Sequence, residues 1–163
     1  MNKRNVIEEN AIVVFDRVVK ASELNTLMQG FCGDLIITKK LVIDKEIDIA
    51  CNLYVIGGIV RKYPVSQFNI NINGDFWCYG EIHCHNIDVS GCFFSKKVVY
   101  SKNIKVRENF SCDDKVDAYG CSIIVAGDME CYDIVSKSVE CLGKIDIHCS
   151  ISVTDGMRNY VKS

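Results

Sequence analysis

Cysteine is the residue type that offers most chemistry here, because ten of the 163 residues are cysteines. A zinc centre needs four converging ligands, usually paired at a spacing of two to four residues, and no such set is recognisable. A disulfide framework is typical of short secreted domains, whereas this chain is longer and shows no secretory signal. We therefore expect free thiols and no metal.

Two histidines lie close together, because His83 and His85 flank Cys84. If the segment is a strand, residues at i and i+2 share one face about 7 Å apart, so two imidazoles could share a metal ion. Two ligands alone make only a weak site, and His148 is too far along the chain to join them. His83 and His85 are weak metal candidates, and the sequence predicts no cofactor.

Three carboxylates form a second cluster, at Asp113, Asp114 and Asp117. Glycoside hydrolysis uses a pair of carboxylates about 5 to 10 Å apart that flank a bound sugar. Aspartate is also favoured at turns, where it accepts hydrogen bonds from the local backbone. We interpret the cluster as a solvated corner and assign no catalytic residue.

Composition excludes several other classes of function. Apolar residues make up 48% of the chain, charged residues 25%, and the formal net charge is -2, so no general electrostatic attraction to nucleic acid or to an anionic membrane is expected. The apolar run over residues 11–15 is too short for a signal peptide or a transmembrane helix. The expectation is a cytoplasmic protein without a transmembrane segment.

A repeat of about seventeen residues organises the chain. Equivalent segments begin at Gly74, Gly91, Glu108, Gly127 and Gly143, and two earlier ones begin at Gly33 and Cys51. The segment from Cys51 is longer, which predicts an insertion at residues 61–68 around Pro64. Internal repeats of this length are typical of solenoids.

Within each repeat the apolar residues form pairs at i and i+2, about six residues apart, as in Phe76/Cys78, Ile82/Cys84 and Ile87/Val89. Such a pair indicates a short strand with one buried face. Three strands per repeat predict an all-β fold, a three-sided, single-stranded, right-handed parallel β-helix of about six coils. The expected organisation is an N-terminal cap of strand and short helix (1–32), the solenoid (33–156) and a tail (157–163).

The same pattern predicts the structure of the N-terminal cap and the positions of the cysteines. Residues 11–19 are expected to form a strand, and a short helix should follow with Ser22 as its N-cap and Gly30 as its stop. Five cysteines fall on inward positions, where they should act as small buried apolar residues. This buried thiol core is Cys78, Cys84, Cys112, Cys131 and Cys141.

The outward positions of the first face form an apolar stripe of Ile36, Tyr54, Trp77 and Phe94, followed in later coils by Ser111, Glu130 and Asp146. Such a stripe exceeds the apolar surface that a monomer normally leaves exposed. Two coverings are open: the N-terminal segment folds down over the stripe, or another subunit or partner protein binds it.

Glycine-led coil starts such as Gly33-Asp34-Leu35, Gly74-Asp75-Phe76 and Gly127-Asp128-Met129 resemble those of the bactofilins, a polymer-forming bacterial cytoskeletal family with a right-handed β-helix. The resemblance spans residues 33–153 and implies a non-catalytic, self-associating scaffold. One alternative is a trimeric hexapeptide-repeat acyltransferase or carbonic-anhydrase-like enzyme, with His83 or His85 as catalytic candidates. The drifting spacing of the apolar anchors disfavours the strict six-residue period of such enzymes. Another alternative is a carbohydrate-active β-helix protein.

Overall fold

The computed structural model of the protein describes residues 11–63 and 67–159. Short apolar pairs separated by turn residues form strands of two to four residues, which merge into longer strands toward the C-terminus. In chain order the elements are β1 (Ile12–Phe15), β2 (Val19–Lys20), α1 (Ala21–Leu27), β3 (Asp34–Ile37), β4 (Leu41–Ile43), β5 (Ile47–Ile49), β6 (Asn52–Val55), β7 (Ile59–Arg61), β8 (Ile70–Ile72), β9 (Phe76–Cys78), β10 (Ile82–His83), β11 (Asn86–Val89), β12 (Phe93–Ser95), β13 (Val99–Ser101), β14 (Asn103–Val106), β15 (Phe110–Val125), β16 (Met129–Cys141), β17 (Ile145–Val153) and β18 (Met157–Asn159).

These strands stack in three parallel ladders, which confirms the predicted β-solenoid. Face A contains β1, β3, β6, β9, β12 and the first parts of β15, β16 and β17. Face B contains β2, β4, β7, β10, β13, the middle parts of β15 and β16, and the end of β17. Face C contains β5, β8, β11, β14, the last parts of β15 and β16, and β18.

The solenoid has eight turns rather than the six predicted. Turn 1 is β1, β2 and α1; turns 2 to 5 are β3–β5, β6–β8, β9–β11 and β12–β14; turns 6 and 7 are β15 and β16; and turn 8 is β17 with β18. The additional turn at the start comes from the segment expected to be a cap, because β1 and β2 pair in parallel with β3 and β4. Part of the expected tail, Met157–Asn159, pairs with β16.

Turn 1 differs locally from its prediction. Residues 11–19 form two short strands rather than one, and α1 follows β2 directly. Ser22 lies inside the helix and is not its N-cap. Its backbone N–H and its hydroxyl instead donate to the Asp44 carboxylate of turn 2, at 2.9 and 2.8 Å, so tertiary contact and not capping fixes this helix. Residues 1–10, residues 160–163 and Pro64 lie outside the described residues.

The core is a set of inward columns that run the length of the solenoid. On face A three phenylalanines stack in successive turns, with ring centroids 4.9 Å apart for Phe76 and Phe93 and 5.1 Å apart for Phe93 and Phe110. All three side chains are fully buried. Because the turns repeat about every 4.8 Å, identical rings in equivalent positions reach stacking distance, and aromatic pairs add stability beyond their buried area.

The corner that precedes face A explains the glycine-led coil starts. A Cβ at Gly74 would lie 2.8 Å from the Cys51 carbonyl oxygen of the previous turn, so a side chain at this position would force the two turns to shift. The residue after this position is commonly Asp or Asn, whose side-chain oxygen accepts the backbone N–H of the next turn. The pairs are Asn52–Asp75 (2.9 Å), Asp75–Cys92 (2.8 Å), Asn109–Asp128 (2.9 Å) and Asp128–Lys144 (2.8 Å).

Candidate functional site

The aromatic stripe is a continuous column on the outer surface of face A. The strand registers place Ile36, Tyr54, Trp77 and Phe94 in successive turns. The ring centroids of Tyr54 and Trp77 are 5.6 Å apart, and those of Trp77 and Phe94 are 6.0 Å apart. Each side chain is half-buried against its neighbours, and burial raises the pKa of the Tyr54 hydroxyl. The indole N–H of Trp77 has no hydrogen-bond partner among the described residues.

The stripe belongs to a wider apolar surface that covers turns 1 to 5. Val14 of turn 1 pairs in register with Ile36, so β1 lengthens the stripe and does not cross it. Ile56 and Tyr79 follow the stripe positions by two residues and are also exposed. We call this surface the apolar patch; it consists of Ile12, Val14, Ile36, Tyr54, Ile56, Trp77, Tyr79 and Phe94.

Below the patch, face A becomes polar. The stripe positions of turns 6 to 8 are Ser111, Glu130 and Asp146. Two ion pairs lie around them, with Nζ of Lys96 2.6 Å from the Asp113 carboxylate and Nζ of Lys144 3.2 Å from the Asp146 carboxylate. Nε2 of His148 is within hydrogen-bond distance of the Glu130 carboxylate, at 2.9 Å. One face of the solenoid therefore divides into an apolar half and a charged half.

The five cysteines assigned to the thiol core all lie on inward positions and are buried. Burial raises the pKa of the thiols of Cys78, Cys84 and Cys131 to about 12 and that of Cys112 to about 11, and it also raises the pKa of Cys141. A raised pKa keeps these thiols protonated at neutral pH, which makes them poor nucleophiles. Cys51, which sequence reasoning did not assign to the core, is also buried, and burial raises its pKa to about 11.

The corner cysteines also act as hydrogen-bond donors, a role that sequence reasoning missed. Cys78 donates to the carbonyl of Gly80 at 3.3 Å and Cys112 to that of Asp114 at 3.4 Å. Ser95 and Ser136 make the same contact two residues ahead, at 2.8 and 2.7 Å. Since a carbonyl turned toward the core needs a donor, cysteine and serine are interchangeable at these corners. The alternation of Cys78, Ser95 and Cys112 within one column of face A was the signal for this role.

His83 and His85 lie at the edge of an open cleft of about 270 Å³ at the corner after face B. His83 stacks on Tyr100 with ring centroids 4.6 Å apart, and its Nε2 lies 3.3 Å from the Glu81 carboxylate. Burial and the neighbouring cations Lys102 and Arg61 lower the pKa of His85, which favours its neutral form.

Among the described residues, neither histidine belongs to a group of three potential metal ligands. Across residues 11–63 and 67–159, the three side chains whose ligand atoms lie within 4.8 Å of one another are Asp75, Cys92 and Glu108. All three side chains already bond within the corner: Asp75 accepts the backbone N–H of Cys92, and the Cys92 thiol donates to the Glu108 carboxylate at 3.4 Å. These contacts give the cluster a structural role at the corner.

The aspartate cluster is dispersed by the fold. Asp113 pairs with Lys96, and Asp114 accepts the backbone N–H of Lys115 at 2.8 Å. Asp117 is not part of the solvated corner that the sequence suggested: its side chain is only 9% exposed on face B and lies 3.0 Å from Nζ of Lys115. The three carboxylates are therefore held within the chain by two lysines, Asp113 by Lys96, and Asp114 and Asp117 by the backbone N–H and the Nζ of Lys115.

The last turn leaves its inward side chains uncovered. Ile151 is in register with the fully buried Ile134 but is 55% exposed, and Met157 is in register with the buried Val139 but is 36% exposed. The inward Ile145 and Ile147 are only partly buried. At the other end α1 occupies face C and buries Ala21, Leu24 and Met28. Across residues 11–63 and 67–159, turn 8 is therefore the more open end of the core.

No protein-family model matches this sequence, and neither a curated protein nor a solved structure gives a match. The fold alone defines the class, which is a three-sided parallel β-solenoid protein. Within the described residues α1 has seven residues and is neither long nor apolar enough to span a membrane.

Proposed function

We propose that this protein is a non-catalytic scaffold that self-associates end to end, through turn 8 of two copies. The observation that carries the proposal is the uncovered core cross-section at that end, where Ile151 and Met157 are exposed although their register partners are buried. Apolar side chains at core positions are less stable in water than when buried. A second copy that covers them would therefore stabilise both copies.

Backbone hydrogen bonding at the same end supports the proposal. Within the described part of the chain, β17 and β18 pair with β16 on one side and with no strand on the other. An unpaired strand edge is a ready template for another chain. A second copy placed on turn 8 would supply partners for the free edges and bury the inward side chains in one step.

The candidate chemical groups fit a scaffold better than an enzyme. The Cys84 thiol in the cleft is kept protonated by burial, which raises its pKa to about 12, and the three aspartates are bonded to Lys96 and Lys115. The bactofilin-like coil starts, which carry the glycine and Asx contacts described above, also favour a polymer-forming scaffold.

The Ile151→Asp variant tests the proposal, because the new carboxylate puts a charge on the open end and leaves the inner turns unchanged. Sedimentation velocity over a concentration series should show that the wild type forms species larger than the variant at every concentration. Ile124→Asp is the matched control, because Ile124 is also an exposed isoleucine, 41% exposed on face C, away from both ends.

The control should sediment like the wild type, and all three proteins should have the same far-UV circular dichroism. A wild type that stays monomeric at high concentration would overturn the proposal. So would a trimer that persists in Ile151→Asp, which is the result expected of a hexapeptide-repeat enzyme.

A further inference from the structure

We infer that the cleft at the corner after face B binds a small phosphate monoester that also carries hydroxyl groups, such as a sugar phosphate. The cleft crosses turns 3 to 6, and Arg61, His85, Lys102 and Asp117 lie in its wall. The site lies away from turn 8 and does not depend on end-to-end association.

The corners after face B differ in length from turn to turn. In turn 3, residues 62–69 separate β7 from β8. In turn 6, the ladder of β15 and β16 shifts register between Ala118 and Ser122, because β15 has extra residues there. The corners of turns 4 and 5, which carry His85 and Lys102, are short. Two short corners therefore lie between two longer ones, and a recess forms over them.

Arg61 occupies a register position that belongs to the core in neighbouring turns. It pairs with Ile43, which is fully buried, and the equivalent residue of turn 4 is the buried Cys84. The Arg61 side chain is half-buried, and its guanidinium has no hydrogen bond or ion pair to any described residue. Removing a cation from water without giving it a partner is unfavourable. A bound anion would supply the partner that the chain does not.

Two further basic side chains line the cleft beside Arg61, namely His85 from turn 4 and Lys102 from turn 5. Neither side chain makes a hydrogen bond or an ion pair within residues 11–63 and 67–159. Arg61 and Lys102 are two turns apart, about 10 Å along the axis, and His85 lies in the turn between them. Burial and these two cations lower the pKa of His85, which agrees with both charges acting at this corner.

The charge in the cleft favours an anion over a metal ion. His83 and His85 were the metal candidates of the sequence, but Arg61 and Lys102 would repel a cation placed beside them. Two fixed positive charges match the dianion of a phosphate monoester, and arginine and lysine are common ligands of phosphate groups. Donors that come from three successive turns also suit the tetrahedral arrangement of phosphate oxygens better than the two oxygens of a planar carboxylate.

Asp117, at the turn 6 end of the cleft, favours a ligand that also donates a hydrogen bond. Its side chain is only 9% exposed, and one carboxylate oxygen, Oδ2, lies 3.0 Å from Nζ of Lys115. The other oxygen, Oδ1, is buried and has no hydrogen-bond partner among the described residues. An unsatisfied buried acceptor is unfavourable. The phosphate cannot satisfy it, because both groups are negative, whereas a ligand hydroxyl can donate to it.

The dimensions of the cleft limit the ligand to a small molecule. Its volume of about 270 Å³ is just below the range of about 300–1,000 Å³ that holds drug-sized ligands. Arg61 in turn 3 and Asp117 in turn 6 are three turn steps apart, about 14 Å along the axis. A molecule with its phosphate at one end and hydroxyls at the other therefore fits the cleft better than free phosphate does.

Isothermal titration calorimetry at low ionic strength tests the site with three probes, glucose 6-phosphate, inorganic phosphate and glucose. The wild type should bind glucose 6-phosphate more tightly than inorganic phosphate and should not bind glucose measurably. Arg61→Gln should raise the dissociation constant of glucose 6-phosphate at least about tenfold, and Lys102→Gln, at an exposed side chain, by roughly two- to fivefold. Arg107→Gln and Lys105→Gln are the matched controls, because both side chains are exposed at or beside face C, and they should leave the constant unchanged.

A wild type that shows no binding of glucose 6-phosphate at millimolar concentrations overturns the inference. A dissociation constant that both Arg61→Gln and Lys102→Gln leave unchanged does the same, with far-UV circular dichroism confirming that both variants are folded. Asp117→Ala tests the hydroxyl contact through the ratio of the dissociation constants of inorganic phosphate and glucose 6-phosphate, because loss of the carboxylate removes its repulsion from both probes. The ratio should fall toward one, and an unchanged ratio would overturn the contact with Asp117.

Discussion

Alkaline pH should destabilise this protein through its buried thiols. Burial raises the pKa of five cysteines, Cys51, Cys78, Cys84, Cys112 and Cys131, from 9.0 to about 11 or 12. In the unfolded chain the same thiols ionise near their ordinary pKa. A raised pKa in the folded state means that the stabilisation is complete below pH 9 and is lost as pH rises from 9 toward 12.

The size of the loss follows from the difference in proton binding. At pH 8 each thiol is almost fully protonated in both states, so its contribution is close to zero. At pH 10 the unfolded state has released most of its proton and the folded state has not, which costs about 1.4 kcal/mol per thiol. Five thiols give a loss of about 7 kcal/mol, comparable to the whole stability of a typical domain.

The assay is urea denaturation under reducing conditions at several pH values from 7 to 10, followed by far-UV circular dichroism. The triple variant Cys78→Ser, Cys112→Ser, Cys131→Ser is informative, because Ser95 already occupies this column and donates to the Lys97 carbonyl. Its loss between pH 8 and pH 10 should be smaller than that of the wild type by about 4 kcal/mol. The single Cys78→Ser variant should differ by about 1.4 kcal/mol.

Replacing the exposed Cys32 and Cys149 with serine provides the control. The pH dependence of this double variant should match that of the wild type, because lysines and tyrosines titrate equally in both. The reasoning is wrong if the wild type loses less than about 2 kcal/mol between pH 8 and pH 10, or if the triple serine variant loses as much as the wild type.

Two further predictions concern packing inside the solenoid. Ser95→Val removes the donor to the Lys97 carbonyl at 2.8 Å and should cost about 1–3 kcal/mol of unfolding free energy. Ser95→Cys keeps a donor and should cost less. Equal losses of the two variants in urea denaturation would contradict the corner role. Phe93→Ala breaks the stack between Phe76 and Phe110 and should lower the free energy of unfolding by about 3–5 kcal/mol. Phe94→Ala, on the outer surface, should lower it by less. The reverse order would contradict the assignment of inward and outward positions.

The faces of the solenoid could be predicted because they are encoded locally. Alternation between Phe76, Trp77 and Cys78 already separates two inward residues from one outward residue. Repetition of that pattern then stacks equivalent residues, so the stripe from Ile36 to Phe94 could be predicted from the sequence alone.

The turns at both ends were harder to predict, because their sequences depart from the repeat. Turn 1 has no glycine-led start and replaces its third strand with α1, which is held by Ser22 and Asp44. In turn 8 a corner precedes β18, so Met157 looked like part of a tail although it pairs with Val139. Pairing with the adjacent turn, rather than local pattern, defines these strands.

The sequence by itself determined the period, the inward and outward positions and the apolar half of face A, because each depends on the type of residue at a fixed spacing. Only the tertiary structure decided the number of turns, the burial of Asp117, the hydrogen bonds of the corner cysteines and the exposure of Ile151. These features arise between turns about seventeen residues apart, where contacts with residues of the adjacent turn decide whether a side chain is covered, and no local pattern records those contacts.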